Sequence, residues 1–404
     1  MSSKQTKILA GALAVLLAGL ACSIGTPSTP VVPTLPSIPA ISAAPAATDT
    51  ATSVPATAAP AIVAPAIASL PVAAAPAIQT LDMLDANNGW ALTDTAVIRT
   101  ADGGATWHTV SPTGLGKAPF SSFFLDTSNG WLVVMGADPS TGMLYHTTDG
   151  GVTWNSTAVP FGGGSLKFTD AQNGWELIGL SAGMSHEAVA VYRTSDGGAS
   201  WTRAIIDDPS VTGFSDSLPL VGDKNGITAL DSQHAWVTGA QPSDDFIYVY
   251  ATQDGGTSWV HQTFSIPAGY SPAQTSAALP IFFGSSQAVL PVLLFSNNNA
   301  SVFYVSQDGG QSWTATTPVP QGGFLAAGSF EDFYVWDGGT QLNASHDRGL
   351  TWTTITPNVN IKDNLVSIQF VNATTGWALT SDASSHHALY QTTDGGATWN
   401  TLTP

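Results

Sequence analysis

Five aspartates are the residues best placed to do chemistry. Asp207, Asp208 and Asp216 fall in the stretch from Ile206 to Gly226, and Asp244 and Asp245 in a short loop further on. Two carboxylates flanking a sugar ring can serve as acid and base, or acid and nucleophile, in glycoside hydrolysis. Several together, supplying six to eight oxygens, can hold calcium, but these five follow no calcium-loop spacing. Phe214 and Phe246 lie among them, Tyr270 lies in a second long loop connection, Ile266 to Pro280, and a mixture of acids and aromatics on loops suits a protein or polymer partner. Asp207, Asp208, Phe214, Asp216, Asp244, Asp245, Phe246 and Tyr270 are therefore the candidate binding set. His386-His387 with Asp382, and His186-Glu187, lack a zinc-type pairing and read as exposed loop histidines. No metal, cofactor or catalytic residue is expected.

What must position these loops is an eight-residue stretch that the chain writes seven times. Thr100-Ala101-Asp102-Gly103-Gly104-Ala105-Thr106-Trp107 returns around Asp149, Asp196, Asp254, Asp308, Asp347 and Asp394, closing on Trp154, Trp201, Trp259, Trp313, Trp352 and Trp399. The sixth copy is degraded, with Arg348 and Leu350 inside it. Steps of 47, 47, 58, 54, 39 and 47 residues between these aspartates signal a propeller or another repeat array. Each copy lies between two β-favouring runs, so Asp-Gly-Gly reads as a tight hairpin. The glycines supply positive φ, and the Asp carboxylate accepts backbone N–H groups to hold the turn closed. The Trp folds over the turn, where its indole N–H finds a carbonyl.

A second signature precedes each box: Asn88-Gly89-Trp90-Ala91, Asn129-Gly130-Trp131-Leu132, Asn173-Gly174-Trp175-Glu176, His234-Ala235-Trp236-Val237 and Thr375-Gly376-Trp377-Ala378. The fifth repeat has Gln287-Ala288-Val289-Leu290, and the sixth has Phe333-Tyr334-Val335-Trp336 in an open register. All 13 tryptophans fall in one signature or the other and are read as structural. The paired signatures resemble the Asp-box (BNR) repeat of sialidases, sortilin-type receptors and, most closely, the photosystem II stability and assembly factor family. The resemblance covers about residues 77–404 and implies an all-β, seven-bladed β-propeller with four-stranded blades. It says little about task, because one architecture hosts many functions.

In such a blade the boxes share a face with the first-to-second turns. The inter-blade connections and second-to-third loops occupy the opposite face, and the candidate set should converge there. A sialidase needs an arginine cluster to clamp a carboxylate. The four arginines here, Arg99, Arg193, Arg203 and Arg348, all sit in or beside boxes, away from that face. Too few remain for the basic surface associated with the assembly-factor family.

Residues 1–22 read as an export signal, with Lys4 and Lys7 before the apolar run Ile8 to Ala21. Cys22, the single cysteine, looks like a lipidation site, although Gly19 stands where leucine is usual. Disulfides therefore play no part in the fold. Residues 23–76, rich in Pro, Ala and Thr, form a disordered tether reaching on the order of 150 Å at full stretch. A net charge of −18 argues against nucleic acid as a partner. The expectation is a monomeric, non-enzymatic, exported and lipid-anchored propeller that binds a protein or cell-surface polymer. A glycoside hydrolase on the same fold is the alternative.

Overall fold

The computed structural model describes residues 67–116, 119, 121–138, 140–183 and 186–402. The export signal, Cys22 and the tether as far as residue 66 lie outside them. The described chain is all-β, with 29 strands and a single short 3-10 turn, Ile67–Ser69. In the first repeat Thr80–Met83, Gly89–Leu92, Val97–Thr100 and His108–Thr109 pair antiparallel in order. Five such four-stranded sheets hold the first, second, third, sixth and seventh repeats.

The fourth and fifth repeats share one nine-stranded sheet, because Gln274–Ala277 pairs with both Ala235–Gln241 and Gln287–Phe295. The sequence reading treats Ile266 to Pro280 as a loop. Its small residues Ala273, Thr275 and Ala277 are all buried, which lets the segment lie as a strand between two sheets.

The box geometry is the expected one. Thr100 Oγ1 donates to Asp102 Oδ1 (2.8 Å) and accepts the Gly104 N–H (2.9 Å), and Asp102 Oδ1 also accepts the Thr106 N–H (2.8 Å). The same three bonds recur at Asp149, Asp196, Asp254, Asp308, Asp347 and Asp394. In the degraded copy Arg348 adopts the left-handed conformation (φ 63°) that Gly103 (φ 73°) adopts in the first, a conformation uncommon for a residue with a Cβ.

The tryptophans divide differently from the sequence reading. Only Trp201, Trp259 and Trp399 donate to a glycine carbonyl of their own box. Trp154 and Trp352 reach back to Val110 O and Thr317 O, and Trp313 donates to Gln262 Oε1. Trp107 and Trp236 bury their N–H without a partner among the described residues.

The second-signature tryptophans join repeats. Trp90, Trp131 and Trp175 donate to Asp126 O, Gly197 O and Asp231 O of the following repeat, and Trp377 donates to Gly103 O of the first (2.9 Å). Register settles the sixth repeat. Tyr334 lies opposite Ala344 as Trp377 lies opposite Gln391, and the Tyr334 hydroxyl makes the equivalent bond to Ala373 O (2.7 Å). Trp336 stands two places further along and donates to Gly339 O instead.

The first and last repeats meet through side chains. Gln369 accepts the Met83 N–H and donates to Met83 O (2.8 and 2.9 Å), and Trp377, Leu379 and Leu389 share a core with Ile78, Met83, Ala91, Ile98 and Trp107. The end of the tether stretch joins the sheet on the outside: Val72 lies opposite His108, with Pro71 and Ala73 bonded to Thr109 and Trp107. This segment widens the first sheet and makes no strand between the two ends.

Candidate functional site

The strand ends opposite the boxes carry the predicted loops. Thr202–Asp207 ends on Asp207, which is 1% exposed, with Oδ2 unpartnered. Burial pushes its carboxyl up to about 7 against the pull of Lys224, while Asp216 and Asp208 add to the rise. Asp208 caps its own turn through Ser210, and Phe214 and Asp216 are exposed.

The connection is fastened by a residue that the sequence reading did not single out. Lys224 Nζ donates to the carbonyls of Glu187, Pro219, Leu220 and Gly222 at 2.8–3.2 Å and lies over the Tyr248 ring. Its own N–H goes to Glu187 Oε2 (2.7 Å), and the Tyr248 hydroxyl bonds Pro219 O. Burial lowers the Lys224 pKa, opposed by Asp207, Glu187 and Asp223. Lys224→Met leaves four carbonyls short of a charged donor, each bond of that kind being worth about 1.5–3 kcal/mol. The expected result is faster proteolytic cleavage between residues 208 and 222 with the other repeats still protected, read by limited digestion and mass spectrometry. Unchanged cleavage there would mean that the connection is held by other contacts.

Asp244 and Asp245 are both exposed, and Asp245 is in addition a brace. Asp245 accepts from Ser271 Oγ (2.6 Å) and Ala273 N (2.9 Å) and donates its own N–H to Ala273 O. Phe246 stacks on His261 (4.2 Å between centroids), and Tyr270 packs against the core shared with Trp236 and Tyr304. The structure thus brings Asp208 and Asp216 near Asp207, which faces Lys224, and places Asp245 and Phe246 together at the next connection. Phe214, Asp216, Asp244 and Asp245 are the exposed members.

Three further titratable groups are buried or half-buried between repeats. Glu176 is 0% exposed, and its carboxyl is pushed up to about 8 by burial, with only Ser121 Oγ donating to it (3.3 Å). Asp82 is pushed up to about 6 by burial against the pull of Lys167, and Lys167, itself lowered by burial, lies over the Phe123 ring. Glu176 was readable in the sequence, since it fills the slot that Ala91, Leu132, Val237 and Ala378 fill elsewhere.

Three of the four arginines are committed at the box end, and Arg203 is exposed. Arg99 and Arg193 donate to Gly150 O and Gly255 O of neighbouring boxes and cover the Trp90 and Trp175 rings, and Arg348 pairs with Glu331 (3.1 Å). His386 pairs with Asp382, and His387 meets Gln79. Among the described residues no group of three or more His, Cys, Asp or Glu side chains is arranged to hold a metal, and no helix is long and apolar enough to cross a membrane.

Seven boxes with this bonding, on antiparallel sheets joined by tryptophans, define a BNR-type β-propeller. Within that class the chain resembles the photosystem II assembly factors. Residues 63–217 match the family described as photosynthesis system II assembly factor YCF48, and residues 304–315 match the BNR/Asp-box repeat. Photosystem II assembly lipoprotein Ycf48 of Synechococcus sp. (strain CC9902) is 30% identical over 146 residues, 35% of each chain. A xyloglucanase of Paenibacillus sp. is 25% identical over 266 residues, 56% of this chain. The chain spans 24% of the length of that enzyme, so both curated relatives extend well beyond the matched part. The solved structure "YCF48 bound to D1 peptide" superimposes with a TM-score of 0.50 at 20% identity, covering 80% of this chain and 95% of the other.

Proposed function

We propose that the seven repeats are the blades of one closed ring, exported and held to a membrane through lipidated Cys22, whose loop face binds a protein partner without catalysis. The observation that carries this reading is the placement of the exposed apolar side chains. Of the eleven large apolar side chains that stand exposed among the described residues, seven (Met143, Leu180, Phe214, Val221, Phe295, Phe324 and Val366, 36–48% exposed) lie on strand ends or connections opposite the boxes. Val152 and Leu350 lie within boxes, Val260 follows one, and Val72 lies on the outer edge, each apart from the others. The larger group, with Asp216 and Asp244 on connections at the same end, suits a segment that offers apolar and basic side chains. The likeness to a protein solved with a bound peptide supports a protein partner.

Cross-linking in native membranes tests it. The full chain should capture one defined protein, and Phe214→Ser combined with Phe295→Ser and Phe324→Ser should abolish the capture while leaving the melting temperature near the wild-type value. Equal capture by the triple variant would sink the reading.

A second reading, glycoside hydrolysis, is favoured by the match to the xyloglucanase. Asp207 has the raised carboxyl that a general acid needs but is closed off under the Lys224 network. Turnover of a soluble β-glucan by the purified chain, lost in Asp216→Asn, would favour this reading over the first.

A further inference from the structure

The sixth repeat is where the pattern breaks, and a groove of about 790 Å³ lies there. It is lined by the connection from Thr317 to Gln321, by the turn from Asp337 to Asn343, and by Trp352, Thr354, Asn360 and Lys362. The neighbouring fifth repeat has a long hairpin, Gln287–Phe295 and Ala300–Ser306, whereas the sixth has four-residue strands, Phe333–Trp336 and Leu342–Ser345. Its turn is a second Asp-Gly-Gly, Asp337-Gly338-Gly339, this time on the loop side. Gly338 (φ 82°) lets the turn lie against Ile361 and Lys362, where a Cβ would meet backbone at 2.8 Å. The groove lies between the turn of this short hairpin and the Thr317 to Gln321 connection, which runs along the long one with Val319 opposite Ser301.

The lining has a distinct chemistry. Thr354 Oγ1 donates to Asn343 Oδ1 (2.9 Å), Asn343 Nδ2 donates to Gln321 Oε1 (2.5 Å), and Gln321 Nε2 donates to Gln341 O (3.3 Å). Each amide is fixed by this chain yet keeps a second N–H or lone pair for a ligand. The two charged groups cancel, since Lys362 Nζ bonds Asp337 Oδ2 at 2.6 Å. Trp352 has one neighbour in Phe303 (centroids 5.8 Å apart), donates its N–H to Thr317 O, and also lines the groove.

From this geometry we infer that the groove binds a short neutral oligosaccharide. Sugar hydroxyls donate and accept at once, as the lining amides and hydroxyls do, and the apolar face of a pyranose ring matches an indole. An anion would need an unpaired cation and a metal ion unpaired carboxylates, and the groove has neither. The volume is within the range of small-ligand sites. A single carboxylate, Asp337, lines the groove and it is paired with Lys362, whereas glycoside hydrolysis takes two, so the sugar is held and not cleaved. None of the proposed protein-binding residues lines the groove, although Phe324 pairs opposite Trp336 at its edge; Phe214 lies three repeats away and serves as the control.

The test is calorimetric titration of the full chain with cellopentaose, laminaripentaose and maltopentaose. One of these should bind with a measurable Kd. Gln341→Ala and Thr354→Val, both at exposed positions, should each weaken it at least three-fold, and Trp352→Ala at least ten-fold. Phe214→Ser should leave the Kd unchanged, which separates this site from the protein-binding face. No heat with any of the three sugars at millimolar concentration, or binding that both surface variants leave intact, would overturn the inference. So would displacement of the sugar by Phe214→Ser alone.

Discussion

Trp377→Ala is expected to cost about 3–5 kcal/mol of unfolding free energy, the range for removing a fully buried large aromatic. The side chain is 0% exposed, shares a core with five residues of the first repeat, and donates to Gly103 O. The location adds a consequence that the size of the residue alone does not. Among the described residues no strand joins the first and last repeats, so this junction rests on the Trp377 cluster, the Gln369–Met83 pair, the Gln79–His387 contact and the bond from Gln391 Nε2 to Gly103 O. Hydrogen exchange should therefore accelerate together in strands near Gly103 and near Gln391, almost three hundred residues apart in sequence. Trp131→Ala removes the same type of side chain between the second and third repeats, and should loosen those two alone. A loss below about 1 kcal/mol in urea titrations, or exchange confined to the last repeat, would show that the closing contact is carried elsewhere.

The repeat grammar made the fold legible because each box closes its own turn. Thr100, Asp102, Gly104 and Thr106 bond to one another within seven residues, so spacing alone foretells the hairpin. A companion turn was also in the sequence and went unread. Asp85, Asp126, Asp170 and Asp231, each three residues before an Asn or His, accept that residue's N–H and close the first-to-second turn. Tyr334 as the stand-in for a tryptophan was hidden, because Trp336 two places on offered a more obvious match.

The loops were less readable, since their roles depend on partners far along the chain. Asp245 looks identical to Asp244 in sequence and is exposed like it, yet Ser271 and Ala273 make it a brace. Asp207 looks like a surface acid until Lys224 and the strand pairing with Val189 enclose it. Counting acids predicts a charged sector. Deciding which acids face water needs the fold.

Glu176→Gln is expected to stabilise the protein above neutral pH and to remove about half of its stability loss between pH 5 and 8. The folded-state carboxyl is pushed up to about 8 by burial, against an ordinary value of 4.5. Between those values the folded chain holds a proton that the unfolded chain has released, so unfolding free energy falls as pH rises. At about 1.4 kcal/mol per pH unit, the penalty grows to about 3 kcal/mol between pH 5 and 7.5. Asp82 and Asp207, pushed up to about 6 and about 7, tilt the profile the same way over the lower part of that window.

The boxes act in the opposite sense. At Asp308 burial is outweighed by bonds from Ser312, Ser306 and Gln311, which bring the carboxyl down to about 2, and at Asp347 bonds from Thr351 and Ser345 do the same. Stability from these groups is present above about pH 4 and is lost as pH falls toward 2. Maximum stability therefore lies near pH 4–5. Glutamine keeps the acceptor for Ser121 and carries no charge at any pH, so the variant should match wild type at pH 4.5 and exceed it by about 3 kcal/mol at pH 7.5, read from urea midpoints. Parallel curves for the two proteins across that range would show that Glu176 already ionises in the fold, and that the decline belongs to Asp82 and Asp207.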